Sequence, residues 1–406
     1  MKRLRLSILV MLLVCSCQEK KSVQLKEGSW WAKMQVSENE ILPFNLDVTK
    51  NNGHYVFKVK NGEERVSVDE IAINGDSIII KMPVFEGYIA GTFSDTEIIG
   101  DFIKESLDRV VPFTATFGER PRFDSSKPPL TNISGIWETV FDYDTGNPYM
   151  AKGIFVQNDE KVTGTFRTTT GDYRYLEGVV DGDSLKLSTF DGAHAFLFVA
   201  NATDSTLDGH FYSGNHSVEK FMARRNEGYE LPDANSLTFL RKDFERFDFS
   251  FPDVNGNVVG MGDEAFKQKV VLVQIMGTWC PNCLDETKFY VDYLKKNPHP
   301  DLKMIALAFE YAKTKEKAFE GIKRLKDRVG VPYPILLAQF GTSSKLKANE
   351  KLPMLNHVLS YPTTIYIDKK GKVRKIHTGF NGPATGEKYE AFKIDFEETV
   401  SDLLSE

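Results

Sequence analysis

The chain has 406 residues, enough for two to four domains, and its 41% hydrophobic and 27% charged residues are ordinary globular values. A formal net charge of −6 excludes a general attraction to nucleic acid. Aromatic residues make up 12%, 29 of them Phe, which points to β-rich material.

The chain opens on a leader. Lys2, Arg3 and Arg5 form a basic start, and Leu6 to Val14 is an apolar run too short to span a bilayer as a mature helix. Val14-Cys15-Ser16-Cys17 follows. The segment resembles a bacterial lipoprotein signal, in which small residues precede a cysteine that is lipidated after cleavage. Ser16 before Cys17 makes Cys17 the acceptor, because Cys15 would follow the bulkier Val14. A plain secretory signal cut nearby is the alternative. The expectation is a signal over residues 1–17 with Cys17 as lipidation site, and a mature chain anchored to the membrane of the cell envelope, facing the periplasm. Of the 4 cysteines, Cys15 then leaves and Cys17 carries lipid. Only Cys280 and Cys283 remain to form an internal disulfide, in a compartment where disulfides form readily.

Residues 27–120 read as a first β-rich domain. Runs such as His54-Tyr55-Val56-Phe57-Lys58-Val59 and Ser77-Ile78-Ile79-Ile80-Lys81-Met82 are separated by the turn signals Asn51-Asn52-Gly53, Asn61-Gly62 and Asn74-Gly75-Asp76. A Pro- and Ser-rich linker follows at Pro121-Arg122-Phe123-Asp124-Ser125-Ser126-Lys127-Pro128-Pro129. Residues 132–226 look like a copy of the first domain. Gly28-Ser29-Trp30 recurs as Gly135-Ile136-Trp137, and Asn74-Gly75-Asp76-Ser77 as Asp181-Gly182-Asp183-Ser184, both at an offset of 107 residues (135 − 28 and 182 − 75). Each copy suits a small antiparallel barrel or sandwich with up-and-down connections, and the pattern does not choose between the two. Trp30, Trp31, Trp137 and Tyr143 could line a binding surface, although aromatics at strand starts are more often core.

Residues 240–406 change character and alternate strand with helix, which gives an α/β domain with a mixed sheet. Asp248 to Val259 reads as an entry hairpin, and Val270-Val271-Leu272-Val273-Gln274-Ile275 as a buried strand. Lys303 to Phe309 is a second core strand, Lys315 to Arg328 a helix with apolar residues at helical spacing, and Lys345 to His357 a further helical piece. Thr363 to Asp368 and Val373 to His377 pair as a hairpin, and a last helix runs from about Gly386 to Leu404.

Between the Val270 strand and the helix that begins near Leu284 lies Trp279-Cys280-Pro281-Asn282-Cys283. A helix start presents unpaired N–H groups and the positive end of the macrodipole, both of which favour an anion such as a thiolate. An ordinary thiol pKa of about 8.5 falls to roughly 7 or below at such sites, and a second cysteine within reach can close a disulfide. Half a structural zinc site is the competing reading. It lacks partners, because no second Cys-x-x-Cys exists and no two of the 7 His residues show finger-like spacing. No metal and no cofactor is expected.

Trp279-Cys280-Pro281-Asn282-Cys283, the later Tyr361-Pro362-Thr363-Thr364 and the Gly371-Lys372-Val373 hairpin together resemble a thioredoxin-fold protein of the TlpA/ResA-like thiol–disulfide oxidoreductase group. The resemblance covers roughly Phe249 to Glu406. It implies that Cys280 is the attacking thiol, that Cys283 resolves the mixed disulfide, and that the two form a redox-active disulfide. It implies a cis Pro362 beside the pair, Tyr361 offering its backbone to an extended substrate, and Gly379 bringing backbone close to the site. Glu286, three residues past Cys283 and so on the same helix face, would handle the Cys283 proton. Gln274 stands where thioredoxin itself carries a buried acid. Trp279 is a flat apolar wall beside Cys280 or simply core. The implied activity is reduction of protein disulfides, with a membrane electron donor recharging the pair. Two alternatives come from other classes: a thiol peroxidase-like enzyme, against which Gly277 stands where such enzymes carry Thr, and a ligand-binding envelope lipoprotein whose redox domain is secondary.

Overall fold

The computed structural model describes residues 23–406; the leader and Cys17 lie outside the described residues. Gly28 to Phe117 forms nine antiparallel strands that succeed one another as hairpins. The last, Arg109–Phe117, returns to pair with the first, Gly28–Gln35, placing Trp30 opposite Phe117. Gly135 to Arg225 repeats that plan with nine strands of its own, and again the last pairs with the first, Trp137 opposite Arg225. In this second sheet Lys161–Thr168 bonds to both Tyr149–Asn158 and Leu176–Asp181, which closes the ring. The first sheet stays open at the equivalent seam, where only Asp69 joins Glu64–Val68 to Glu70–Asn74. Both sheets are therefore barrel-like, a choice the strand pattern had left open, because ring closure depends on which distant edges meet.

The repeated landmarks carry repeated geometry. Trp30 and Trp137 are both fully buried, and each indole N–H donates to the carbonyl four residues back, Lys26 at 3.0 Å and Ile133 at 2.8 Å. Gly75 and Gly182, in matching hairpin turns, both have φ of 64°. These indoles are core, while Tyr143 stays at the surface. The linker between the barrels is less passive than its Pro- and Ser-rich composition suggests. Arg122 is buried there, donates to the carbonyl of Pro43 and the hydroxyl of Ser188, and lies 3.3 Å from the Glu177 carboxylate. One side chain thus pins the two barrels together. Phe190 of the second barrel completes the junction by stacking on Phe44 of the first at 4.7 Å.

Beyond Leu240 lies a five-stranded mixed sheet with Val270–Met276 at its centre. Leu302–Phe309 and then Ile335–Gln339 run parallel to it on one side; on the other, Thr363–Ile367 runs antiparallel to it, and Val373–Thr378, antiparallel to that strand, is again parallel to the centre. All seven residues of the central strand are buried, as a strand covered on both faces requires. Helices Pro281–Lys296, Lys315–Val329 and Glu387–Ser405 flank the sheet. The helix expected over 345–357 is shorter, Lys345–Lys351, because Pro353 denies the preceding residue helical backbone and supplies no N–H of its own. Among the described residues, no helix is long and apolar enough to cross a membrane.

Candidate redox site

The buried central strand ends at Met276, and the chain turns through Gly277-Thr278-Trp279 into the helix Pro281–Lys296. Cys280 is the cap of that helix: the Cys283 N–H points at its sulfur at 3.1 Å. Pro281 fills the first helical position, where its missing N–H costs nothing. Cys280 and Cys283 are joined as a disulfide with Cα atoms 5.2 Å apart. Cys283 is wholly buried and Cys280 is 6% exposed, so a reagent meets Cys280 first.

The other residues singled out in the sequence gather around this pair. The Tyr361–Pro362 peptide is cis, and the Tyr361 carbonyl oxygen lies 3.4 Å from the Cys280 sulfur. Gly379, with φ of 78°, donates its N–H to the Pro362 carbonyl at 2.9 Å. Trp279 is half-buried, donates its indole N–H to Phe309 O at 2.9 Å, and packs edge-on against Tyr361 at 5.6 Å. It is both a wall of the site and a tie to the sheet. His377 is buried, with Nδ1 3.0 Å from Asn235 Oδ1, and burial pushes its imidazole down to about 4.

Glu286 is completely buried one turn beyond Cys283. Its carboxylate accepts from Gln274 Nε2 at 2.8 Å, from the Tyr290 hydroxyl at 3.0 Å and from the Thr364 hydroxyl at 3.1 Å. Gln274 Nε2 also lies 3.5 Å from the Cys283 carbonyl, so the amide bridges the acid and the cysteine's backbone. Burial pushes the Glu286 carboxyl up to about 7, against the pull of those three hydrogen bonds.

A second buried acid escaped the sequence reading. Glu310 follows the strand Leu302–Phe309 and accepts from Thr278 N at 2.8 Å and the Thr278 hydroxyl at 2.7 Å. It thereby holds the turn that carries Trp279 and Cys280. Burial pushes its carboxyl up to about 7 as well. Its only sequence signal is an acid at the end of a core strand, which is too common to act on.

These two carboxyls give the oxidised protein a pH-dependent stability. Folded, each holds its proton up to about 7; unfolded, each releases it near the ordinary 4.5. Between those values the folded state binds more protons, so stability is full below about 4.5 and falls as the pH rises through about 7. The loss is on the order of 3 kcal/mol for each acid. Thermal melts of Glu310→Gln should show a visibly shallower decline between pH 5 and pH 8 than wild type. An unchanged slope would remove Glu310 from this account.

Comparison with known proteins falls on this part of the chain. The Redoxin family model matches residues 229–392. The thioredoxin-like protein YneN of Bacillus subtilis is 30% identical over 132 residues, which are 32% of this chain and 68% of that protein. The thiol:disulfide interchange protein DsbE of Pasteurella multocida is 32% identical over 119 residues, and the chain spans only 56% of its length. Among solved structures, a thiol-disulfide oxidoreductase from Bacteroides fragilis is 20% identical with a TM-score of 0.27, covering 37% of this chain and 99% of that one. A thioredoxin-family thiol:disulfide interchange protein from Chlorobium tepidum is 19% identical, also at 0.27, covering 36% of this chain and 92% of that one.

Proposed function

By its C-terminal domain the chain belongs to the thioredoxin-like redoxin family, and from that premise we propose that it is an envelope-facing thiol–disulfide oxidoreductase that reduces protein disulfides. In this reading it is of the TlpA/ResA-like kind, is held to the membrane through lipid on Cys17, and is recharged by a membrane dithiol donor. The observation that carries the reading is one arrangement: a Cys280–Cys283 disulfide at a helix start, against cis-Pro362, with a buried acid one turn away.

Reduction takes two successive thiol–disulfide exchanges. The reduced Cys280 thiolate attacks one sulfur of a substrate disulfide. A Cys280–substrate disulfide forms, and the other substrate sulfur leaves as a thiolate that takes up a proton. Cys283 loses its proton to the carboxylate of Glu286 and attacks the Cys280 sulfur. The second substrate thiol departs with a proton, and the Cys280–Cys283 disulfide remains. Two electrons have passed to the substrate, and a dithiol donor returns them by the reverse exchange. Trp279 and Tyr361 wall the approach to Cys280, and Pro362 and Gly379 fix the backbone beside it. The two barrels place this site at a set position on the anchored molecule.

The reduction potential tests the direction. Equilibration with a glutathione couple should place the pair in the reducing range, nearer to about −270 mV than to about −120 mV. A value near the upper figure would make the protein an oxidant and reverse the proposed electron flow.

A further inference from the structure

The two barrels use the same hairpin for different ends. In the first, the turn after His54–Asn61 docks on the second barrel: Asn61 Nδ2 donates to Phe190 O at 2.9 Å, and Gly62 N to Glu177 at 2.8 Å. The matching turn of the second barrel joins Lys161–Thr168 to Gly171–Asp172, and it docks on the redox domain.

There it meets the segments that surround the disulfide. The hydroxyl of Ser360, two residues before Pro362, donates to Thr170 O at 2.8 Å. Asn282, between the two cysteines, donates its amide to Asp172 O at 3.1 Å. Gly382 N donates to the Asp172 carboxylate at 2.6 Å. Glycines let the two surfaces come close. A Cβ on Gly379 would stand 2.9 Å from Thr169 O, and one on Gly171 would stand 2.1 Å from Asn282 Nδ2 and 3.0 Å from Phe380 O. A side chain on Gly379 would part the two, while one on Gly171 would displace the Asn282 amide and crowd the Phe380 carbonyl. Beneath the hairpin, buried Arg174 pairs with Asp285 of the cysteine-bearing helix and with Glu64 of the first barrel, which ties all three bodies at one point.

We infer that the Thr168–Asp172 hairpin is the specificity determinant of the redox site. It occupies the face of the site formed by Ser360, Gly379 and Asn282, next to a Cys280 that is 6% exposed. A polypeptide disulfide must bring its flanking backbone onto that face before its sulfur can meet Cys280. A small disulfide needs room only for its own sulfurs. Polypeptide disulfides therefore react after the hairpin lifts, and small ones react with it in place. The inference rests on Cys280 being the exchanging sulfur in the proposed reduction.

The test compares two disulfides on the reduced full chain, insulin as the polypeptide and glutathione disulfide as the small one. Gly171→Val takes the space of the Asn282 amide, crowds the Phe380 carbonyl and strains a backbone at φ of 141°, all of which loosen the hairpin's seat. It should raise the insulin rate roughly tenfold or more, as removing a closed-state penalty does, and change the glutathione disulfide rate by less than about threefold. An unchanged insulin rate, or an equal rise for both disulfides, overturns the inference. A second measurement leaves the hairpin sequence intact. The Cys283→Ala chain is linked through Cys280 either to a cysteine-containing peptide or to glutathione, and amide hydrogen exchange is read over residues 168–174. Lost protection in the peptide adduct alone supports the inference, and equal protection in both overturns it. If the wild type exchanges with neither disulfide, the oxidoreductase reading itself falls and takes the hairpin's role with it.

Discussion

Cys283→Ala will hold substrates on Cys280 as mixed disulfides, and turnover will fall by roughly 10³-fold or more, as removal of an essential reacting group does. The reason is positional. Cys280 caps its helix at the only end of the pair that reagents reach, whereas Cys283 is wholly buried one turn inside. Removing Cys283 leaves the attack intact and deletes the group that, among the described residues, is placed to release the product. Cys280→Ser should form no adduct at all, because the remaining sulfur is out of reach. Non-reducing electrophoresis of both variants against disulfide-bonded proteins reads the difference. Adducts that persist in Cys280→Ser, or none in Cys283→Ala, would show that Cys280 is not the attacking sulfur.

Glu286→Gln should slow the resolving step by about 10²-fold above neutral pH, the range that loss of a general base produces. Burial holds this carboxyl near 7, so below that pH it is protonated and unable to take the Cys283 proton. Wild-type resolution should then climb as the pH passes through about 7, and the variant should lack that limb. The first step, attack by Cys280, should keep its rate. Amide for carboxyl preserves the shape at Gln274, Tyr290 and Thr364, and it removes a charge from a buried site, so the variant should fold at least as stably at pH 8. Stopped-flow traces that separate adduct formation from adduct decay measure both steps. Decay within about threefold of wild type, with the same pH profile, would leave proton handling to water.

Each part of this reading became legible at its own range. The cysteine pair was visible because everything that defines it is local: an apolar strand, four residues, and a helix that starts with Pro281. The duplication was visible because turn glycines and the tryptophans recur at a fixed spacing, and matching φ values and indole contacts confirm that they do the same work. Glu286 could be placed because helical periodicity puts it on the face of Cys283. Glu310 could not, because its partner Thr278 is 32 residues away, on the far side of a strand crossover. Arg122 was hidden in a linker whose composition signals exposure, yet it is buried between bodies that the linker itself brings together.

The order of residues along the chain was enough to determine an α/β redox domain, two copies of one β meander, and a disulfide at the start of a helix, because strand and helix periods, turn residues and helix ends act over a few neighbours. Only the tertiary structure decided that the meanders roll into barrels, that two glutamates are buried with raised proton affinity, and that a hairpin of the second barrel rests against the cysteine pair. Those outcomes depend on groups distant in the chain, such as Glu310 and Thr278, 32 residues apart, or Gly382 and Asp172, 210 apart, and no local pattern records which distant groups will meet.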